Sequence, residues 1–352
     1  MVILPAPRHS AARSGSTPMM LLHDLPAADW RQFVASHPAG NIFHTPEMFE
    51  VFRRSCGHHP ELWAVVDDAR ILALCVPVRV TLWRGLPSPF STRAVSYGGV
   101  LAAPGEVGAA ALKYLLEVYV REVRGSPLFT ELRHLSDASA LLSILEQTHF
   151  VHEPHLNYLV DLRRSPEALL QSVGPRTRSH IRRGLRKGTV TITEVHERQG
   201  LAPCYTLLCK TYRAAHIPPP HQSLFEAAFD VLQPRQMIRC TQASVGSAVV
   251  AVSIDLLYRD TIYGWYGAAD RAYGSHNPNE LLTWDILEYG CTQGYRVYDF
   301  GGAGRPGEPY GVRDFKAKFA GELVSFGRST HIHAPLRFKL SRTVYHVCRR
   351  LL

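Results

Sequence analysis

The sequence has no stretch approaching about 18 uncharged apolar residues, so no membrane-spanning helix is expected. It has no CxxC pair: seven cysteines, at positions 56, 75, 204, 209, 240, 291 and 348, are odd in number and dispersed. That spacing argues against a disulfide framework or a zinc ribbon and fits reduced thiols in the cytoplasm. The first twenty residues carry early prolines and no apolar core ahead of a small-residue cleavage site, so they read as a loosely ordered tail, not a signal peptide. Walker A, HExxH and GxSxG sequences are absent. His58-His59 lacks an aspartate three residues on, as a His-Asp acyltransferase would need. His152 and His155 flank Pro154 without a nearby Cys or carboxylate cluster, which favours surface histidines over metal ligands. No metal is expected.

What is present is an ordinary globular composition, 46% hydrophobic and 20% charged over 352 residues, enough for two domains. The net charge of +9 is unevenly placed. Residues 163–187 hold eight Lys/Arg against one acid, and residues 313–350 hold nine against two, so each stretch carries +7 and the remainder about −5.

Two halves show a similar order of elements. In the first, a helix at Thr45–Cys56 opens at Pro46, and strands follow at Glu61–Asp67, Ile71–Val80 and Ala94–Leu101. The helix Val107–Arg124 has its apolar stripe at Leu112, Leu115, Leu116 and Tyr119, and strands Thr130–Leu135 and Leu156–Leu162 flank a helix at Ala138–Thr148. In the second, a basic helix at Arg176–Lys187 precedes strand Thr189–Val195, helices Leu201–Ala214 and Ser223–Leu232, and a meander through Met237–Ser244, Ala248–Tyr258 and Thr261–Ala268. Helix Asn279–Gln293, capped by Asn279, leads to strand Tyr295–Phe300 and a glycine-rich loop. This predicts a tandem α/β architecture of mixed, mostly antiparallel sheets flanked by helices. The expected divisions are a flexible 1–20, a domain at 21–163, a second and catalytic domain at 164–334, and a basic amphipathic helix at 335–352.

Gly302-Ala303-Gly304-Arg305-Pro306-Gly307 fits G-x-G-x-x-G after a strand, but Pro306, Pro309 and Gly311 prevent the helix that a dinucleotide fingerprint requires. A different likeness covers 274–321. Pro278-Asn279, Leu281-Leu282 and Trp284, then Tyr298-Asp299-Phe300-Gly301-Gly302, then Tyr310-Gly311 and Phe315-Lys316 with Phe319, occur in the order of the signature of the Fem-type (FemABX) aminoacyltransferases. Weaker echoes lie at Asn41–Arg54, Arg176–Thr193 and Leu207–Pro219. The chain resembles that family most strongly over roughly its last 110 residues, and departs from it in having no insertion long enough for the helical hairpin arm that some members carry in connection with tRNA.

The resemblance implies two GNAT-like domains and amide formation on an amino group of a cell-wall or glycan precursor, with no permanently bound cofactor. Aminoacyl-tRNA is the implied donor. Acyl-CoA is the alternative, for which Arg271-Ala-Tyr-Gly274-Ser-His276 is half of a pyrophosphate loop; a non-catalytic envelope-assembly scaffold is a third reading. The resemblance assigns Lys316 to stabilise the tetrahedral oxyanion, beside Phe315, and makes Arg53 and Arg213 phosphate contacts. Asp299 is either the base for the amine or a cap on the Gly301-Gly302 turn. Tyr263, Tyr266 and Tyr310 are candidates to line an acceptor groove. Arg178, Arg182 and Arg186 share a helical stripe suited to a polyanion such as tRNA, with Ile181 and Leu185 expected inward. Leu336, Leu340, Val344, Val347 and Leu351 recur at helical spacing among basic residues, which suits an anionic membrane surface and a place at its inner, cytoplasmic face.

Overall fold

The structure, a computed structural model, describes residues 19–341 except Ala69, 82–87 and 124–126. The first part of the chain runs β1 (Met20–Leu22), α1 (Ala27–Ser36), α2 (Pro46–Arg54), β2 (His58–Pro60), β3 (Trp63–Asp67), β4 (Arg70–Cys75), β5 (Val78–Thr81), β6 (Thr92–Ser96), β7 (Val100–Ala102), α3 (Glu106–Glu122), β8 (Phe129–Arg133), α4 (Leu142–Gln147), β9 (Val151–Glu153) and β10 (Leu156–Asp161). It continues through α5 (Pro166–Ser172), α6 (Pro175–Lys187), β11 (Val190–Glu194), α7 (Leu201–Ala214), α8 (Gln222–Leu232), β12 (Ile238–Val245), β13 (Ala248–Tyr258) and β14 (Thr261–Ala269). The remainder is α9 (Pro278–Thr292), β15 (Val297–Gly302), α10 (Gly311–Lys316), β16 (Glu322–Ser325) and β17 (Arg328–Ile332).

The sheets are mixed and mostly antiparallel, as expected. A four-stranded sheet has the order β1-β3-β4-β7, a six-stranded sheet β2-β5-β6-β8-β17-β9, and a seven-stranded sheet β11-β12-β13-β14-β15-β10-β16. Each of the two larger sheets contains a single parallel pair, β6 with β8 and β14 with β15. A helix, α3 or α9, crosses between the members of each pair, which is why the halves look alike in element order without sharing sequence.

Two single-strand expectations divide. Ile71–Val80 breaks at Pro77, which has no N–H for a ladder, so β4 joins one sheet and β5 the next. Ala94–Leu101 breaks at Gly98-Gly99, where Gly99 takes φ +77°, and β6 and β7 likewise separate into two sheets. Helix α9 begins one residue early, with Asn277 in the left-handed region at its N-cap and no side-chain cap, so Asn279 is not the cap. The tail ends sooner than residue 20, since Met20 pairs with Val66; residues 1–18 lie outside the described residues.

The cut drawn at 163/164 runs through both large sheets. Strand β10, before the cut, pairs with β15 and β16, while β17, far beyond it, lies between β8 and β9. The halves also share a core: Ile42, Met48, Val51 and Phe52 from α2 and its approach pack with Leu207, Leu224, Phe225 and Ile254. Helix α2 forms because Thr45 accepts the Met48 N–H and Pro46 occupies the first turn. Cys56 N–H then donates to Ser223 Oγ at 2.8 Å across the junction.

Candidate functional site

Strands β14 and β15 pair over three positions only, from Thr261 opposite Val297 to Tyr263 opposite Asp299. Beyond Tyr263, β14 keeps β13 as partner through a bulge at Trp265, and β15 turns toward β10, also through a bulge. The parting of two parallel strands opens a cavity of about 140 Å³ at the junction of the halves. Its lining includes Tyr97, Arg133, His134, His155 and Arg328 together with Asn157, Gly264, Trp265, Asp299, Gly301 and Gly302. This is below the roughly 300–1,000 Å³ of sites that enclose whole drug-sized ligands, and it suits the reacting end of a substrate.

Asp299 is 2% exposed. Its carboxylate accepts the Gly301 N–H at 2.7 Å and the Asn157 amide at 3.2 and 3.3 Å. Burial pushes it up to about 6, against the pull of those donors and of Lys316. It therefore both caps the turn and sits in the proton-transfer range, so the two roles read from the sequence are compatible. Gly301 takes φ +72°, which lets its N–H turn back to the aspartate.

Lys316 ends α10 and is 8% exposed. Its Nζ donates to the carbonyls of Phe300, Gly301 and Gly302 at 2.6, 3.2 and 2.8 Å. Burial lowers it to about 8, with Asp299 opposing. All three ammonium protons face main-chain oxygens, so a direct contact with a substrate oxyanion requires Nζ to leave one of them. Phe315 is partly buried against Phe319, and Lys318 lies over its ring.

The other expected residues are dispersed. Arg53 is 61% exposed and paired with Glu50, on the wall of a separate, larger cavity with Arg54, His58 and His59. Arg213 and Tyr310 are exposed. Tyr266 packs on Phe225 and Trp265, and burial holds its phenol well above its usual range. Tyr263 lies on the cavity wall. On α6, Ile181 is buried but Leu185 is 55% exposed, contrary to expectation. The helix turns Gly184 onto Leu281 instead, where a side chain would collide. Arg182 pairs with Glu167, Arg178 donates to the Gln171 carbonyl, and Arg186 is exposed. His155 lines the cavity and His152 bonds Ser329, so neither is the surface histidine expected. Leu336 and Leu340 are exposed on a helix beginning at 335; residues 342–352 of that expectation lie outside the described residues. Among the described residues, no helix is long and apolar enough to cross a membrane.

Sequence reasoning missed Asn157, Arg133 and Arg328. The period-two pair Glu131 and Arg133, one face of a strand with a charge at each end, was the available signal for the second. Asn157 and Arg328 gave none, because strands distant in sequence bring them in.

Residues 175–316 match the family described as an acetyltransferase (GNAT) domain. The match runs from the start of α6 to Lys316 at the end of α10. The chain as a whole has a GNAT-like fold in both halves. It is similar to the crystal structure of FemX, with a TM-score of 0.68 at 15% identity, covering 91% of this chain and 99% of that one. The C-terminal domain of a putative lysylphosphatidylglycerol synthetase from Agrobacterium fabrum superposes with a TM-score of 0.58 at 14% identity, over 90% and 96% of the two chains. A tandem GNAT protein from the clavulanic acid biosynthesis pathway gives 0.56 at 14% identity, over 90% and 99%. No curated protein matches the chain in sequence.

Proposed function

We propose that this GNAT-like acyltransferase moves an aminoacyl or acyl group onto an amino group of a cell-wall or glycan precursor, at the cavity between β14 and β15. The observation that carries this is the buried Asp299, raised to about 6 and lining a cavity to which both halves contribute. The amine nitrogen attacks the carbonyl carbon of an ester or thioester donor and forms the new C–N bond. Asp299 takes the proton that the nitrogen loses, and the tetrahedral adduct collapses by breaking the bond to the departing oxygen or sulfur. Lys316 acts in this scheme by holding the carbonyls of residues 300–302, which keeps the Gly301 N–H on Asp299. The unpaired edge of β14 beyond Tyr263 offers main-chain groups to an extended donor chain.

Similarity to FemX across nearly the whole chain supports aminoacyl-tRNA as donor and a cell-wall acceptor. The GNAT domain match favours the second reading, an acyl-CoA donor. Incubating the protein with radiolabelled aminoacyl-tRNA or acyl-CoA and a panel of amines decides between them. Label transfer from one donor alone selects it, and transfer from neither removes the proposal.

A further inference from the structure

Three neighbouring strands of the six-stranded sheet, β6, β8 and β17, put four charged side chains on one face. Strand alternation and register align Arg93, Glu131, Arg133 and Arg328, because Val95 lies opposite Glu131 and Arg133 opposite Arg328. Glu131 accepts Arg133 Nε at 2.6 Å and Arg328 Nη1 at 3.4 Å. Burial would raise this carboxyl, but the flanking guanidiniums outweigh burial and hold it below its usual range. One carboxylate thus serves three cations.

That imbalance is costly to the fold. Like charges directly opposite each other on paired strands destabilise a sheet, and here two guanidiniums occupy paired positions. Burial and the nearness of Arg133 both lower Arg328. Arg93 Nε is buried with no hydrogen-bond partner. His134 and His155 are each lowered to about 4, chiefly by burial, so they add no charge at neutral pH.

The cluster opens into the reaction cavity. Arg133 and Arg328 line it with Asp299, and a Cβ built at Gly302 would lie 3.6 Å from Arg328 Nη2. Arg133 is further oriented by the Tyr97 ring, 5.2 Å from its guanidinium carbon. Guanidiniums present paired N–H groups that match carboxylate and phosphate oxygens. We infer that Arg133 and Arg328, with the charge of Arg93 behind them, seat an anionic group, a carboxylate or phosphate, carried by the amine acceptor, and so select which amines reach Asp299. This deepens the acyl-transfer reading and rests on it. Glu131 is the internal competitor that occupies the seat when the acceptor is absent.

Two variants test this in opposite directions. Arg328→Gln removes a cation while Glu131 keeps its bond to Arg133, and Glu131→Gln removes the competitor while keeping its shape. Without any turnover, inorganic phosphate at fixed ionic strength should raise the unfolding midpoint of the wild-type chain. The rise should shrink in Arg328→Gln and grow in Glu131→Gln. With a competent donor, the ratio of kcat/KM for O-phosphoethanolamine or β-alanine to that for ethanolamine should fall about tenfold in Arg328→Gln and rise in Glu131→Gln. Whichever of the two anionic amines leads identifies phosphate or carboxylate. Equal phosphate stabilisation in all three proteins, or an unchanged ratio in both variants, overturns the inference. If no amine is acylated, the acyl-transfer reading fails, while the phosphate measurement still decides whether the seat binds anions.

Discussion

Replacing Lys316 with methionine separates two ways in which a buried cation can serve this site. The substitution strands the carbonyls of Phe300, Gly301 and Gly302, which now receive Nζ at 2.6–3.2 Å. An unsatisfied buried acceptor costs about 1–3 kcal/mol. Against this, the ammonium no longer has to be buried, a relief whose sign is its fall from 10.5 to about 8. A net loss of about 2–4 kcal/mol is expected, measured by urea unfolding at pH 7. The pH dependence adds a signature. Between about 8 and the ordinary lysine value the unfolded chain binds more protons, so Lys316 makes wild-type stability rise with pH across that window. The methionine variant lacks that rise. Asp299 loses a neighbouring cation, so the acid limb of kcat/KM moves above about 6. Unchanged unfolding energy together with an unmoved acid limb would refute the positioning role. A rate loss of about 10²–10³ without either effect would instead assign Nζ directly to the oxyanion.

Asp299→Asn should abolish the acid limb near 6 and lower kcat/KM by about 10²–10⁴. It should also remove the loss of wild-type stability expected as pH rises from the ordinary aspartate range through about 6, since a buried carboxyl with a raised pKa is best tolerated protonated. Asn157→Ala takes away a donor to the same carboxylate and should move the limb upward, read from the pH–rate profile. Gly264→Ala places a methyl 2.7 Å from Tyr298 Oη, whose O–H donates to Asp255. It should cost about 1–3 kcal/mol in unfolding experiments and slow turnover by forcing β14 from β15. Changing Arg178, Arg182 and Arg186 together to alanine should weaken tRNA retention in a gel shift and flatten its salt dependence by up to about three units; an unaltered shift argues for acyl-CoA.

Much of the fold was legible because local chemistry and tertiary context agree. Thr45 and Pro46 start α2 by a cap and a fixed φ, and the stripe of α3 at Leu112, Leu115, Leu116 and Tyr119 is buried as its spacing requires. Period-two patterning located strands but not the sheet each one joins. Pro77 and Gly98-Gly99 mark the handovers, and composition alone does not say that the chain changes sheets there. Leu185 fails for a related reason: helical periodicity gives a face, while the contact of Gly184 with Leu281 decides which face turns inward. In the site, Asp299 and Lys316 were visible through their motif. Their partners were not, since Asn157 lies 142 residues away from Asp299 and the carbonyls that hold Lys316 carry no side-chain identity.

The reciprocal lending of β10 and β17 bears on how the chain is made. The six-stranded sheet needs β17 between β8 and β9, so its order is incomplete until Arg328–Ile332 has been synthesised. At about 5–20 residues per second, the segment between β9 and β17 takes on the order of 10–35 s to emerge. Throughout that interval the facing edges of β8 and β9 stand open beside Arg133, without the strand that will carry Arg328. The early half therefore cannot mature as an independent unit ahead of the late one, and the cavity's cationic wall is completed only once Arg328 has been made.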